Sequence, residues 1–293
     1  MTEPTRPPLR WHGSKWKLSK WIIAQFPAHR VYVEPFGGGG SVLIRKPRAY
    51  AEVWNDLDDE VYNFFCVLRD DGARLEELLR LTPFSRRELE AAYGVTDDPI
   101  ERARRLVVRC FQGFGSNAHS IGMAADSVGR STGFRANSNK SGTTPAHDWM
   151  NYPDALAATR DRLRGVIIEN RPAIDVMIQH DAEQTLHYVD PPYVPETRSP
   201  SRKAYQCRMY RHELSPDDHV ALLSFLKTLA GMVVLSGYPH LMYDAALPGW
   251  RRLECAALAD GARPRIEVLW INPAAAAGLD RGAPQMDMLA VLA

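Results

Sequence analysis

The sequence predicts an α/β protein whose mixed, mostly parallel sheet is interrupted by a helical, loop-rich insert. Short strand-like segments alternate with helical segments at both ends of the chain, and glycines follow the first strand at Gly37–Gly40. Alternation with glycines at a strand end is typical of a parallel sheet flanked by helices. Residues 71–150 break the alternation, which indicates an insert within one catalytic core.

The first elements follow from apolar periodicity. Residues 1–8, polar and rich in proline, are expected to form a flexible tail. A helix is predicted over Lys15–Gln25, since apolar residues recur there at helical spacing. The next elements are the strands Val31–Glu34 and Ala51–Asn55 and the helix Asp58–Arg69.

The middle of the chain is predicted to be helical and then irregular. Helices are expected at Leu75–Leu81, Ser85–Tyr93 and Pro99–Phe111. The polar stretch Gly113–His147 follows, and a loop of this length in a compact domain is usually functional or disordered.

Four further strand-like segments complete the predicted core: Val166–Glu169, Thr185–Val189, Met232–Leu235 and Arg265–Ile271. The domain organisation that follows is a catalytic core formed by residues 9–70 and 151–293, with residues 71–150 as an insert.

Composition excludes several classes of protein. Four widely spaced cysteines without a CxxC pair argue against a zinc site and a disulfide scaffold, and we predict no metal. No apolar run reaches the length of a membrane span, and the polar start is unlike a signal peptide. We therefore expect a cytoplasmic protein.

The net charge of +1 does not point to a nucleic-acid partner, but cations are unevenly distributed. Residues 101–140 contain seven cations against two acids, and residues 197–211 contain five cations and no acid. Two basic patches could contact a polyanion, although charge runs are as often solvated faces. The cations of the first run are Arg102, Arg104, Arg105, Arg109, Arg130, Arg135 and Lys140.

The glycine cluster is the first candidate site. Glycines at a strand end allow a tight turn and the close approach of a nucleotide-like ligand. Leu43 stands where a dinucleotide fingerprint needs a third glycine, which disfavours NAD. Asp56, at the end of the next strand, can accept hydrogen bonds from ribose hydroxyls, or it can be a solvated turn residue.

The segment Asp190-Pro191-Pro192-Tyr193 after a strand is the most informative feature. Its prolines prevent the strand from continuing. The Asp190 carboxylate and the Pro191 carbonyl can accept hydrogen bonds from an exocyclic amine, while Tyr193 stacks on the base. Such a site cannot reach a base inside a duplex, so the target base must be flipped out. A proline-rich turn after a core strand is the structural alternative.

These motifs, in this order, resemble the Dam-type (D12 class, α-group) adenine-specific DNA methyltransferases. A Trp-x-Gly-x-Lys segment, Trp11 to Lys15, precedes the glycines as it does in that family, and Val233–Tyr238 is similar to phage and prophage members. The resemblance implies a Rossmann-like, mostly parallel seven-stranded methyltransferase sheet. It also implies S-adenosylmethionine as cofactor and a flipped-out adenine N6 in double-stranded DNA as acceptor.

The resemblance also assigns roles to residues. Asp190, Pro191, Pro192 and Tyr193 match the catalytic motif. The expected cofactor-binding residues are Trp11, Lys15, Glu34, Phe36, Gly38, Gly40, Asp56 and Asp190.

The insert is expected to read the DNA sequence, as it does in the family. Arginine commonly reads guanine and asparagine adenine in the major groove, while lysine contacts phosphates. The expected DNA-binding residues are Arg130, Arg135, Asn137, Lys140 and Arg198. Ser116–Trp149 does not match the recognition hairpin of GATC-specific members, so the target sequence stays open.

Alternatives remain at this point. The acceptor could be cytosine N4 or, less closely, a glutamine amide, although those relatives usually carry Ser or Asn at the position of Asp190. A catalytically silent DNA-binding relative is the other possibility. The resemblance is compatible with a cognate restriction endonuclease as functional partner, and we expect a monomer in a bacterial or phage-infected cell.

Overall fold

A computed structural model of the chain describes residues 3–115, 133–137, 142–198, 210–259 and 263–282. By packing, the chain divides into two compact units, which are described separately. The helical unit comprises Met1–Trp16, Gly38–Ile44 and Asp58–Arg164. The sheet unit comprises Lys17–Gly37, Arg45–Leu57 and Gly165–Ala293.

The sheet unit contains a seven-stranded sheet in the order β3-β2-β1-β4-β5-β7-β6, in which only β7 and its neighbours pair antiparallel. The predicted α/β class and mostly parallel, seven-stranded sheet are confirmed. The strands are β1 Val31–Glu34, β2 Ala51–Asn55, β3 Val166–Glu169, β4 Thr185–Val189, β5 Met232–Gly237, β6 Arg251–Ala259 and β7 Arg263–Ile271.

The first four strands have the predicted bounds, because each is a short segment rich in β-branched and aromatic residues that is followed by a proline or a polar residue. Strand β4 is buried along its whole length, as expected of a central parallel strand covered on both faces. Strands β1 and β4 are neighbours in the sheet, and the strand order reverses between them. Ligands of open α/β sheets bind beside the carboxyl ends of the strands at such a reversal.

Strand β6 was not predicted. It pairs only with β7 and so lies at the edge of the sheet. Along residues 251–257 half-buried and exposed positions alternate, and the side chains include two arginines, a glutamate and small residues. An edge strand without a buried apolar face lacks the pattern by which strands are found in a sequence.

The described helices are numbered α1 to α12 in chain order. They are α1 Ser19–Ile23, α2 Ser41–Arg45, α3 Asp59–Leu81, α4 Arg86–Ala91, α5 Pro99–Gln112, α6 Pro145–Met150, α7 Leu156–Leu163, α8 Ala173–His180, α9 Pro195–Arg198, α10 Pro216–Leu226, α11 Leu241–Ala246 and α12 Pro273–Asp280. A short 3₁₀ helix, Pro153–Ala155, precedes α7.

Two helix predictions need correction. The helix predicted over Lys15–Gln25 is reduced to α1, which ends shortly before Pro27, since a residue preceding proline disfavours helical backbone. The separate helices predicted on either side of Asp71 are one element, α3, with a kink at Asp71, where φ is −138° and ψ is 34°. This element runs through the predicted core–insert boundary at residue 70.

The predicted tail is not loose over its last residues. Arg6 forms an ion pair of 2.9 Å with Asp148, and the Tyr152 hydroxyl donates to the Pro8 carbonyl. The Arg6 guanidinium also lies 5.2 Å from the Tyr152 ring centroid, and Leu9 is fully buried. An arginine that combines an ion pair with an aromatic contact anchors this segment to the helical unit.

None of the helices in the described part of the chain is long and apolar enough to cross a membrane.

Candidate functional site

The Asp-Pro-Pro-Tyr segment lies where the central strand β4 ends. The strand is buried up to Val189, and the chain then becomes half-buried at Asp190. Pro191 is buried, while Pro192 and Tyr193 are half-buried. The segment therefore lies at the carboxyl end of the sheet, beside the point where the strand order reverses.

Tyr193 is held by residues from two other strands. Its hydroxyl donates to Oε1 of Glu267 on β7 and lies 2.9 Å from Oγ of Ser236 on β5. The Ser236 hydroxyl also donates to Glu267 Oε1, at 2.9 Å. The Tyr193 ring meets the ring of Tyr238 nearly edge to face, with centroids 4.7 Å apart. The tyrosine predicted to stack on a base thus has a fixed hydroxyl end.

The segment Asp190–Tyr193 at the end of β4 is called the corner below. Burial and nearby charges keep the two tyrosines in and next to it in their neutral form. Burial, followed by the nearby carboxylates of Asp190 and Glu267, raises the pKa of Tyr193 well above its ordinary value of 10.0. The same causes, in the same order, raise the pKa of Tyr188 on β4. Both phenols remain protonated and can act as hydrogen-bond donors.

Glu34 ends β1, the neighbour of β4. It is buried, and its Oε2 accepts a hydrogen bond of 2.8 Å from Tyr32 on the same strand. Burial, followed by the charge of Glu34, raises the pKa of Tyr32 well above 10.0. The Tyr32 hydroxyl therefore stays protonated and remains a hydrogen-bond donor to Glu34. Phe36 packs against the apolar cluster that includes Val189 and Val194, which adjoin the Asp-Pro-Pro-Tyr segment.

Asn55 at the end of β2 ties three strand ends together. Its amide nitrogen donates to the carbonyls of Pro35, at 2.9 Å, and Arg171, at 3.0 Å. Its side-chain oxygen accepts from the Arg171 backbone N–H at 2.9 Å. Asn55 is fully buried and structural, whereas the adjoining Asp56, the predicted ribose acceptor, is half-buried.

The start of the glycine turn is packed against β2. The Gly37 N–H donates to the Asn55 carbonyl at 2.7 Å. A Cβ on Gly37 would lie 2.1 Å from Nε1 of Trp54, so no other residue fits without displacement of the indole. The backbone after β1 therefore has a fixed course.

In the helical unit, Trp11 covers the next glycines. A Cβ on Gly38 would lie 3.0 Å from the Trp11 indole, and one on Gly39 would lie 3.1 Å from Trp11 Cβ. Gly38 and Gly40 have φ values of +46° and +64°, in the left-handed region that favours glycine. The turn is thus bare backbone beneath an aromatic ring.

The segment that carries Trp11 is held by one contact within itself and one contact to the residue that follows the glycines. Lys15 is buried, and its ammonium donates to the Gly13 carbonyl at 3.0 Å. Ser14 Oγ lies 2.8 Å from Oγ of Ser41, the first residue of α2. The Trp-x-Gly-x-Lys segment is therefore built onto the glycine turn.

The predicted DNA-binding residues are placed only in part. Arg135 donates to the Phe111 carbonyl at 2.8 Å and lies 3.9 Å from Asp148, and Asn137 is exposed. Arg130 and Lys140 lie outside the described residues. Arg198 ends helix α9, and only its backbone is described.

The basic run around helix α5 is not a free cationic surface, which corrects one reading of the charge pattern. Arg102 and Arg109 bind Glu60 at 2.9 and 2.8 Å, and Arg104 and Arg105 bind Glu101, each at 2.7 Å. Arg109 is 1% exposed. Glu60 in α3, outside the counted window, thus binds two of these arginines, and Glu101, inside it, binds the other two.

Sequence reasoning missed Ser236, Tyr238 and Glu267 as parts of the corner. A weak signal existed, since Glu267 is an acid within the otherwise apolar run Ile266–Ile271. A buried carboxylate on a strand needs donors, but the sequence alone does not identify Tyr193 as one of them.

Comparison with known proteins agrees with this arrangement. The family model described as "D12 class N6 adenine-specific DNA methyltransferase" matches residues 11–95, a range that includes every predicted cofactor residue from Trp11 to Asp56. The chain is also similar to the Type II methyltransferase M.MjaIII of Methanocaldococcus jannaschii, with 21% identity over 259 residues that cover 76% of this chain and 80% of that protein. Over residues 11–95 the chain is thus similar to the D12 class of N6 adenine-specific DNA methyltransferases, and the sheet order and the Asp-Pro-Pro-Tyr segment agree with that similarity.

Proposed function

We propose that the protein transfers a methyl group from S-adenosylmethionine to the N6 amine of an adenine flipped out of double-stranded DNA. The observation that carries the proposal is the Asp190–Tyr193 corner at the end of β4, beside the reversal of strand order. Ligands of this type of sheet bind at that edge. The corner offers two acceptors for an amine and an aromatic ring for a base.

The described residues fit the cofactor. Gly38 and Gly40 adopt left-handed backbone and present no side chain, as a turn that must admit a nucleoside requires. Asp56 is half-buried at the end of β2, where an acid can accept from ribose hydroxyls. When bound, S-adenosylmethionine supplies an activated methyl group on a sulfonium.

The roles of the chain's own residues follow from their chemistry. Trp11, Lys15, Glu34, Phe36, Gly38, Gly40 and Asp56 are assigned to the cofactor, with the Lys15 ammonium suited to its carboxylate. The Asp190 carboxylate and the Pro191 carbonyl each accept a hydrogen bond from the target amine and so orient its lone pair. Pro191 and Pro192 fix the backbone that carries these acceptors.

Tyr193 is assigned to the flipped base. Aromatic stacking is worth about 1–3 kcal/mol per base and offsets part of the cost of taking the base out of the duplex. The remaining contribution of the protein is positioning, because in-line displacement requires reacting atoms in close alignment.

Recognition of the target sequence is assigned to the insert, residues 71–150. Arg135 and Asn137 are the described candidates, and Arg130, Lys140 and Arg198 remain predicted contacts. The Type II relative is consistent with a cognate restriction endonuclease as a functional partner. A monomer in the cytoplasm also remains a prediction.

The test is methyl transfer from labelled S-adenosylmethionine to unmethylated genomic DNA, followed by nucleoside analysis and mapping. We expect N6-methyladenine at one short motif. Label in N4-methylcytosine would overturn the acceptor, and label in protein would overturn DNA as substrate. No transfer by a protein that still binds duplex DNA would indicate a silent DNA-binding relative.

An Asp190→Ala variant tests the role of the corner. We expect transfer to fall below detection while duplex affinity is largely retained, since the substitution removes one contact to the flipped base and none of the predicted contacts to the rest of the duplex. The matched control is Asp154→Ala, because Asp154 is 65% exposed and pairs with an exposed arginine, a contact worth little. Methyl transfer that survives Asp190→Ala would refute the assigned mechanism.

A further inference from the structure

The hydroxyl end of Tyr193 is anchored away from the face a base would use. It donates to Glu267, which is 3% exposed, and lies 2.9 Å from Ser236, which is fully buried. An anchored hydroxyl fixes the direction of the axis about which the ring turns, and the edge-to-face contact with Tyr238 limits rotation of the ring about that axis.

The group that holds the Tyr193 hydroxyl is the carboxylate of Glu267. The hydroxyls of Tyr193 and Ser236 both donate to the same oxygen, Oε1 of Glu267. An ionised carboxylate is acceptor-only and can take several donors, and hydrogen bonds to a charged acceptor are about twice as strong as neutral ones. A buried carboxylate at this place is thus satisfied by the tyrosine that it holds.

The anchor is also rigid. Ser236 and Glu267 lie on the neighbouring antiparallel strands β5 and β7, in which Ser236 pairs with Leu269 and Gly237 with Val268. Tyr238, directly after β5, meets the Tyr193 ring nearly edge to face at 4.7 Å. Sites built on strands are held more precisely than sites on loops.

We propose that Glu267 is a positioning residue for the methyl transfer, which holds the Tyr193 ring in the orientation that the flipped base stacks upon. This inference rests on the proposed function. The inference goes beyond the proposed function because it assigns part of the catalytic geometry to β7. This strand is separated by β5 from β4, the strand that leads into Asp190.

The first test does not depend on activity. The protein is labelled with 3-fluorotyrosine, and the Tyr193 resonance is identified by its absence in Tyr193→Phe. We expect Glu267→Ala to shift and broaden this resonance, because the ring loses its anchor. The control is Glu52→Gln, since Glu52 is also 3% exposed but pairs with Lys46 at 2.7 Å. A Tyr193 resonance unchanged in Glu267→Ala would overturn the proposal.

The second test uses methyl transfer. We expect Glu267→Ala to lower kcat by about 10- to 100-fold, as misplacement of a positioned group does, with cofactor affinity and Tm like those of Glu52→Gln. Because Glu267 acts through the Tyr193 hydroxyl, the double variant with Tyr193→Phe should be no worse than the more impaired single variant. Losses that multiply would contradict the proposal.

If Glu267→Ala does not fold, Glu267→Gln takes its place. Its amide oxygen still accepts but carries no charge, so we expect a smaller shift of the Tyr193 resonance and a loss in kcat of about 5-fold. An unmoved resonance with wild-type kcat in this variant would overturn the proposal. A wild-type protein that methylates no DNA would instead refute the proposed function, and the resonance test would still decide whether Glu267 holds Tyr193.

Discussion

Two regions rich in charge behave in opposite ways. Around helix α5 of the helical unit, the arginines that suggest a polyanion site form ion pairs with Glu60 and Glu101. At the corner after β4 in the sheet unit, burial and the carboxylates of Asp190 and Glu267 raise the pKa of Tyr193 and Tyr188, so acids act there on hydroxyl groups.

The difference lies in what each set of charges stabilises. In the helical unit, opposite charges join helices, so the charge run has a structural purpose. At the corner, the Glu267 carboxylate accepts hydrogen bonds from the hydroxyls of Tyr193 and Ser236 and so holds an aromatic side chain. Charge density along a sequence therefore does not identify a site by itself, because the fold decides what each charge contacts.

Replacement of Arg109 tests the structural side of this comparison and has the largest expected effect. Arg109→Ala removes a 1% exposed guanidinium bonded to Glu60 at 2.8 Å and to the Ala92 carbonyl at 2.7 Å. We expect the free energy of unfolding to fall by about 3 kcal/mol, because Glu60 keeps only Arg102 and the buried Ala92 carbonyl loses its donor. The change in the free energy of unfolding is measured by urea denaturation.

The control for this experiment is Arg105→Ala, whose side chain is 21% exposed and pairs with Glu101. Its expected cost is about 1 kcal/mol or less. If Arg109→Ala weakened DNA binding without loss of stability, the arginines of α5 would be a binding surface after all.

Gly37→Ala tests whether the turn beside the corner is as rigid as the packing indicates. The new Cβ would lie 2.1 Å from Trp54 Nε1 in a buried position, and overpacking of this kind costs about 1–3 kcal/mol. We expect a lower unfolding free energy and weaker binding of S-adenosylmethionine by calorimetry. Gly133→Ala, with no atom within 4 Å of its Cβ, is the control and should be near neutral. Equal effects at the two glycines would show that the turn adapts.

The smallest expected effect is the pH dependence of the Glu101 ion pairs. Hydrogen bonds from Arg104, with a smaller contribution from Arg105, lower the pKa of Glu101 from 4.5 to about 2. A depressed carboxyl pKa stabilises the folded state fully above the unfolded value of 4.5, and this stabilisation is lost as the pH falls towards about 2. The Tm difference between wild type and Glu101→Gln should therefore shrink over that window. A difference that stays constant would show that the pairs contribute nothing through charge.

The sequence predicted the fold class and most strands of the sheet for a physical reason. Strands such as Thr185–Val189 are short apolar runs that end at proline or polar residues, so their bounds are encoded locally. The edge strand Arg251–Ala259 has no such pattern and was missed. The number of strands was predicted only through the family resemblance, and the order of the strands was not predicted.

Within the candidate site, residues on contiguous motifs were predictable and their long-range partners were not. Asp190 to Tyr193 form one segment, whereas the acceptor of the Tyr193 hydroxyl is Glu267, 74 residues further along the chain. Likewise, Arg109 reads as a surface cation until α3 brings Glu60 against it. Pairing across such separations is set by tertiary packing, which local patterns do not contain.

The position of Asn55 has a consequence for the effect of deamidation on this protein. Its one amide nitrogen holds the carbonyls of Pro35 and Arg171 and so joins the ends of β1 and β2 to the segment after β3. Deamidation, the ordinary chemical wear of asparagine, would replace that donor with an oxygen that can only accept. Two carbonyls would then face a negative charge, and the loss of a single nitrogen would loosen three strand ends at once.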